Sequence, residues 1–262
     1  MPTLQYMGRI GRYNQFRQPR RTVSANGLVY VVSYGANAIF MLDACTKRSV
    51  GAIRTPNLVR PRGMIVRGGR LYVSCYGNPI GQILIIDQTT GCEIHNFRVP
   101  RPRGIAMLGQ QLFVTEVMKN RISIFKTNGE FVNYIYAGFR HPRGIDVDRM
   151  RGLLLVADSG NNRVVWLTSS GRVTRICKGL DAPNDVLICS DGMVVVSQWY
   201  RQSLRLMSRG SRVFGPEISV PGGSGNFAML GQTGRRLVVA DDDGGCLHLF
   251  TRRSTKKRHE VK

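Results

Sequence analysis

Four arginines recur in this chain at a nearly constant distance, each directly after a proline: Arg20, Arg62, Arg103 and Arg143. A guanidinium stays charged at any ordinary pH. It offers its N–H donors in a planar fork and stacks on aromatic rings. Phosphates and carboxylates match that fork. Residues of similar chemistry flank these steps. Arg60, Arg101 and Arg140 stand just ahead of three of them. Farther along each repeat come Tyr34 and Asn37, then Tyr76 and Asn78, then Lys119, Asn120 and Arg121. Asn161, Asn162 and Arg163 follow, and then Trp199, Tyr200 and Arg201. Cations neutralise phosphates, aromatic rings are platforms for bases, and amide side chains read base edges. The chemistry these residues would perform together is recognition of single-stranded or loop RNA. The expected contacts are Arg20, Tyr34, Arg60, Arg62, Tyr76, Arg101, Arg103, Lys119, Arg121, Arg140, Arg143, Asn161, Arg163, Tyr200 and Arg201.

The elements that must position them follow from the prolines. Pro19, Pro61, Pro102, Pro142, Pro183 and Pro221 are 42, 41, 40, 41 and 38 residues apart. An end-to-end period near forty marks an array of small sheets. In the second repeat, Gly63–Val66 is a short strand and Arg67-Gly68-Gly69 a turn. Leu71–Cys75 and Ile83–Asp87 are the next two strands, and Glu93–Val99 is a more polar fourth. No segment has a helical period. The fold class is therefore all-β, a six-bladed β-propeller of four-stranded blades. Blades start near 19, 61, 102, 142, 183 and 221. The last blade lacks a strand, and Thr3–Ile10 supplies it, so the N-terminus closes the ring and removes two sheet edges. The propeller occupies residues 1–253, and residues 254–262 form a basic tail.

In such a ring, the loop into the first strand and the loop between the second and third strands open on one face. All the residues above then share that face. The Pro-Arg steps make a positive arc over four blades. Asn184-Asp185 in the fifth repeat and Asp241-Asp242-Asp243 in the sixth leave an acidic gap. The Pro-x-Gly part is architectural, since proline fixes φ and glycine admits close backbone approach. Asn161 and Asn162 read equally as turn caps, and the tyrosines as packing between blades. Arg103 and Arg143 are expected outside the core.

The charge agrees with a polyanionic partner. Formal net charge is +22, from 38 Lys and Arg against 16 Asp and Glu, and 31 of the basic residues are Arg. A charge of this size favours nucleic acid or another polyanion. No apolar run is long enough to span a bilayer. The arginine-rich start reads as a strand and not as a transit segment, and no signal-peptide core precedes it. The location expected is cytoplasmic, or nuclear if the tail is an address. Six cysteines without CxxC or zinc-finger spacing read as reduced thiols, most of them inside apolar runs. No cofactor is expected.

The phrase His141-Pro142-Arg143-Gly144-Ile145-Asp146-Val147-Asp148, followed by Leu155-Val156-Ala157-Asp158-Ser159-Gly160-Asn161-Asn162-Arg163-Val164, resembles the NHL repeat. Repeat four matches this grammar almost fully, and repeats two and three in part. The resemblance implies the same six-bladed propeller. It also suggests kinship with the strongly basic RNA-binding propellers of TRIM-NHL proteins. A rival resemblance lies in Ala182-Pro183-Asn184-Asp185-Val186 with Ser190-Asp191-Gly192, which looks like a phrase of gluconolactonase-type propellers. It implies a divalent metal in the channel, with Asn184, Glu116 and Asp241 as ligands. Four basic steps would repel that cation. GxSxG and HExxH motifs are missing and histidines are few. The chain therefore reads as a non-catalytic binding module without a metal in the channel. The alternatives are a scaffold for an acidic protein and a metal-dependent hydrolase.

Overall fold

In the computed structural model, residues 3–77, 80–223, 227–233 and 236–253 are described. The N-terminal strand β1 is Thr3–Ile10. Blade one holds β2 (Pro19–Ala25), β3 (Leu28–Ser33), β4 (Ala38–Asp43) and β5 (Ser49–Ile53). Blade two holds β6 (Pro61–Arg67), β7 (Arg70–Cys75), β8 (Gly81–Asp87) and β9 (Glu93–Val99). Blade three holds β10 (Pro102–Leu108), β11 (Gln111–Glu116), β12 (Arg121–Lys126) and β13 (Phe131–Ile135). Blade four holds β14 (Pro142–Asp148), β15 (Leu153–Asp158), β16 (Arg163–Thr168) and β17 (Val173–Cys177). Blade five holds β18 (Pro183–Ile188), β19 (Val194–Gln198), β20 (Ser203–Met207) and β21 (Glu217–Ser219). Blade six holds β22 (Phe227–Thr233), β23 (Arg236–Asp241) and β24 (Cys246–Arg253).

Each blade is a four-stranded antiparallel sheet in chain order, except the sixth, whose order is β1-β24-β23-β22. Thr3 pairs with Arg253 and Ile10 with Leu247, with a bulge between Tyr6 and Gly8. The ring is thus closed by the N-terminal strand, as the short last repeat predicts. The first strands β2, β6, β10, β14, β18 and β22 touch one another in a circle. That circle surrounds the central channel. Among the described residues the only helical element is one 3-10 turn, Ser159–Asn161. No helix there is long and apolar enough to cross a membrane.

The core is divided among the blade junctions. Alternate residues of one strand point to opposite faces. In β15, Leu154 and Val156 pack toward blade three, while Leu155 and Ala157 pack toward blade five. Strands buried on both faces need continuous apolar runs, which these are. Phe16, fully buried, fills the junction between blades six and one with Val29, Val31 and Val238. Four cysteines are buried, but Cys45 and Cys92 lie exposed in loops outside the apolar runs, and none is in a disulfide.

The Pro-x-Gly steps crowd the channel as expected. A Cβ on Gly104 would sit 2.6 Å from the Arg143 carbonyl oxygen. Side chains of the second strands stitch neighbouring blades at the same register. Ser74 Oγ accepts from the Gly63 amide and donates to the Arg103 carbonyl. Thr115 Oγ1 does the same between Gly104 and Arg143.

Candidate functional site: an arginine and aromatic channel mouth

The residue before each of five prolines, Gln18, Arg60, Arg101, His141 and Ala182, has a positive φ. Left-handed backbone is unfavourable for these residue types and persists where surroundings hold it. Asparagines supply that hold at three junctions. Asn37, Asn120 and Asn162, themselves left-handed, accept hydrogen bonds from the amides of Arg60, His141 and Ala182. Asn161 donates to the Gly138 carbonyl and to Asp158. These asparagines join blades, and the turn-cap reading fits them. Asn78 lies outside the described residues, as does the basic tail 254–262.

This twist turns the next residue but one into the channel. Arg20 and Arg103 are buried, and Arg62 and Arg143 half-buried. The expectation that Arg103 lies outside the core is corrected. It belongs to the first residues of β10, which face the channel, and not to a free loop. The four guanidiniums form one cluster and not an open arc. Arg103 and Arg143 both donate to Asn184 Oδ1. Trp199 is 5.8 Å from Arg103 and 4.8 Å from Arg143, centroid to guanidinium carbon. Tyr34 is 5.1 Å from Arg20 and 4.8 Å from Arg62, and Tyr76 is 4.5 Å from Arg62. Arg62 therefore lies close to two rings. Arg101 stands at 6.0 Å from Tyr76.

The acidic residues divide in role. Asp242 enters the cluster and pairs with Arg20 at 2.6 Å. Asp185 pairs with Arg21. Asp241 stays inside blade six, bonded to His248 and the Gly244 amide. The expected acidic gap is thus partly a counter-charge.

Positive charge remains in excess. Burial, then the neighbouring Arg143, Arg62 and Arg20, hold the Arg103 guanidinium well below its usual range. Burial draws Arg20 down to about 10, against the opposing effect of Asp242. Burial also lowers Arg62 and Arg143. It raises the Asp242 carboxyl, which Arg20 pulls back down. The Nε atoms of Arg20, Arg62 and Arg143 are buried without a hydrogen-bond partner. Buried N–H groups are normally satisfied, and an unpaired buried charge is costly. An anion in the mouth answers both needs.

The other expected contacts are spread around this cluster. Arg60, Lys119, Arg140, Tyr200 and Arg201 are exposed. Arg201 pairs with Asp181. Arg121 and Arg163 are occupied inside their blades, by Glu116 and Asp158. An acid at the end of the second strand and an arginine at the start of the third, five residues apart, is the signal that marks such pairs. Trp199, and not the 72% exposed Tyr200, packs on the arginines. The three residues of the metal reading are engaged with protein partners, and of them Asn184 faces the arginine cluster. Asn184 accepts from Arg103 and Arg143, Glu116 from Arg121 and Ser123, and Asp241 has the partners above.

The NHL repeat matches residues 139–167, the stretch that carries the resemblance in sequence. No curated protein matches by sequence. Solved structures match over nearly the whole chain. A streptogramin B lyase has a TM-score of 0.67 at 13% identity, covering 96% of this chain and 98% of its own. A catalytically inactive histidine variant of virginiamycin B lyase from Staphylococcus aureus, solved with quinupristin, has a TM-score of 0.71 at 16% identity, covering 96% and 99%. The selenomethionine-substituted form of that enzyme scores 0.70 at 17% identity, again covering 96% and 99%. At such identities the likeness carries the fold. It overturns the reading of the chain as non-catalytic, because the structures with which it shares that fold belong to enzymes. Missing hydrolase motifs are a poor exclusion, since acid–base chemistry needs only one well-placed titratable group.

Proposed function

We propose that the channel mouth is a binding site for an anionic group carried beside a planar ring, the pairing that single-stranded RNA offers as phosphate and unstacked base. The observation that supports it is the cluster of Arg20, Arg62, Arg103 and Arg143, in which Asp242 pairs with Arg20, Asp185 bears on Arg103, and three Nε donors are unpartnered. A phosphate there accepts from several forks at once. Tyr34, Tyr76 and Trp199 stand between the arginines as stacking surfaces. Arg60, Lys119 and Arg140, exposed on the rim, meet the neighbouring phosphates. The test is photocrosslinking of a 4-thiouridine oligonucleotide, mapped by mass spectrometry. Crosslinks at Tyr34, Tyr76 or Trp199 support the reading. Crosslinks confined to Phe131, exposed on the outer strand β13, count against it. Binding of an acidic peptide in place of RNA would favour the protein scaffold.

One observation favours a second, catalytic reading of the same mouth. Asp242 is held above the usual carboxylate range by burial and lies among guanidiniums that would stabilise a developing oxyanion. It is the group to act as base in a lyase reaction like those of the structural neighbours. Incubation with quinupristin and mass analysis tests this. Cleavage that is lost in Asp242→Asn supports it.

A further inference from the structure

Among the described residues, one group of side chains outside the channel has the composition of a metal site: Asp241, Cys246 and His248, all buried. We infer that it binds a zinc ion, which ties the N-terminal strand into the last blade.

The first argument is geometric. Tetrahedral zinc bonded at about 2.0 Å to nitrogen and oxygen and about 2.3 Å to sulfur separates nitrogen from oxygen by about 3.3 Å and nitrogen from sulfur by about 3.6 Å. Here His248 Nε2 is 3.2 Å from Asp241 Oδ2 and 3.8 Å from Cys246 Sγ. All three candidate ligand atoms lie within 4.8 Å of one another. Thiolate, imidazole and carboxylate together suit zinc better than a hard cation.

The second argument is the comparison between blades. Glu116 stands opposite Arg121 in the β11–β12 register, and Asp158 opposite Arg163 in β15–β16. Both are ion pairs. The same register in β23–β24 sets Asp241 opposite Cys246. The arginine that balances the buried acid elsewhere is a thiol here, and a histidine follows two residues on, on the same face of the strand. A divalent ion bound there would meet both the carboxylate and the thiolate.

The third argument is the outer support. Tyr6 Oη lies 3.3 Å from His248 Nδ1. When that hydroxyl oxygen accepts the Nδ1 proton, Nε2 keeps its lone pair for a metal. Ligating histidines are commonly oriented this way. Tyr6 belongs to β1, and Arg9 of the same strand stands opposite His248 in register. The site therefore couples ring closure to metal, and metal binding is folding energy.

The test uses the full chain, stripped with chelator and titrated with Co²⁺. A thiolate-to-cobalt charge-transfer band should saturate at one ion per chain and vanish when Zn²⁺ is added. Cys45→Ser with Cys92→Ser should keep the band, since those thiols are exposed. Cys246→Ser should lose it, and Tyr6→Phe should weaken affinity about 10–100-fold. The inference fails if folded wild type gives no band. It also fails if the band disappears with the exposed cysteines or persists without Cys246.

Discussion

The guanidinium of Arg103, on the first strand of blade three, donates across the channel to the side-chain oxygen of Asn184 on the first strand of blade five. This one contact spans the ring and sets the fourfold arginine cluster in place. It also makes Arg103 a buried charge, surrounded by three others of the same sign. An apolar side chain of similar length removes the desolvation cost and the like-charge repulsion, while Arg143 still donates to Asn184 Oδ1. Arg103→Met should therefore leave the melting temperature unchanged or raise it. Its affinity for anions should fall about tenfold or more, the value of one charged hydrogen bond at roughly 1.5–3 kcal/mol. Thermal melting and a phosphate titration check both halves.

Trp199 reports on the mouth. The chain has two tryptophans, and Trp166 is buried under Arg175. Ligand entering the cluster should quench Trp199 emission, and Trp199→Phe should remove that signal. Trp199→Ala should cost about 1–3 kcal/mol of binding to a base-bearing ligand. Tyr200→Ala, at a 72% exposed side chain, should cost much less.

Affinity should depend on pH at two edges. Asp242 competes with a ligand for Arg20, and its carboxyl is raised by burial. Lowering pH through that raised value neutralises the competitor and strengthens anion binding. Arg20 sits at about 10, so affinity should decline as pH rises through that value and its charge is lost. The sign for stability is separate. A carboxyl raised in the folded state binds its proton more tightly there, so its contribution weakens as pH rises through the window above 3.8. Isothermal titration of a phosphorylated nucleoside from acid to alkaline pH checks the two edges. Asp242→Asn should abolish the acid one.

The closing strand carries stability for the whole ring. Deleting residues 1–12 removes β1 and reopens an edge of β24. The truncated chain should lose cooperative melting or melt far lower, and unchanged melting would contradict the closure.

Most of the fold was legible because one short phrase governs it. A proline opens five of the six first strands, arginine and glycine follow it in three of them, and Gly63 and Gly104 have no room for a Cβ. The missing last strand was legible from the count alone. The site was legible in composition only. Arg62 and Arg143 read as surface residues because their burial comes from blades far away in sequence, through Tyr34, Asn184 and Trp199. Arg121 and Arg163 pair with acids five residues earlier, a local signal that was present in the sequence. Asp242 read as a gap because its partner Arg20 stands at the other end of the chain.

The most direct test of the channel mouth is RNA binding compared between two arginine pairs. Arg62→Gln with Arg143→Gln alters the mouth. Arg67→Gln with Arg98→Gln removes the same charge from an opposite-face turn and an outer strand, both exposed. Binding of a labelled single-stranded oligonucleotide should fall at least tenfold for the first pair and little for the second. If about four phosphates are contacted, log K against log salt should have a wild-type slope near −2.8. The mouth pair should flatten that slope. Equal losses from the two pairs, or no binding by wild type at moderate salt, would contradict it.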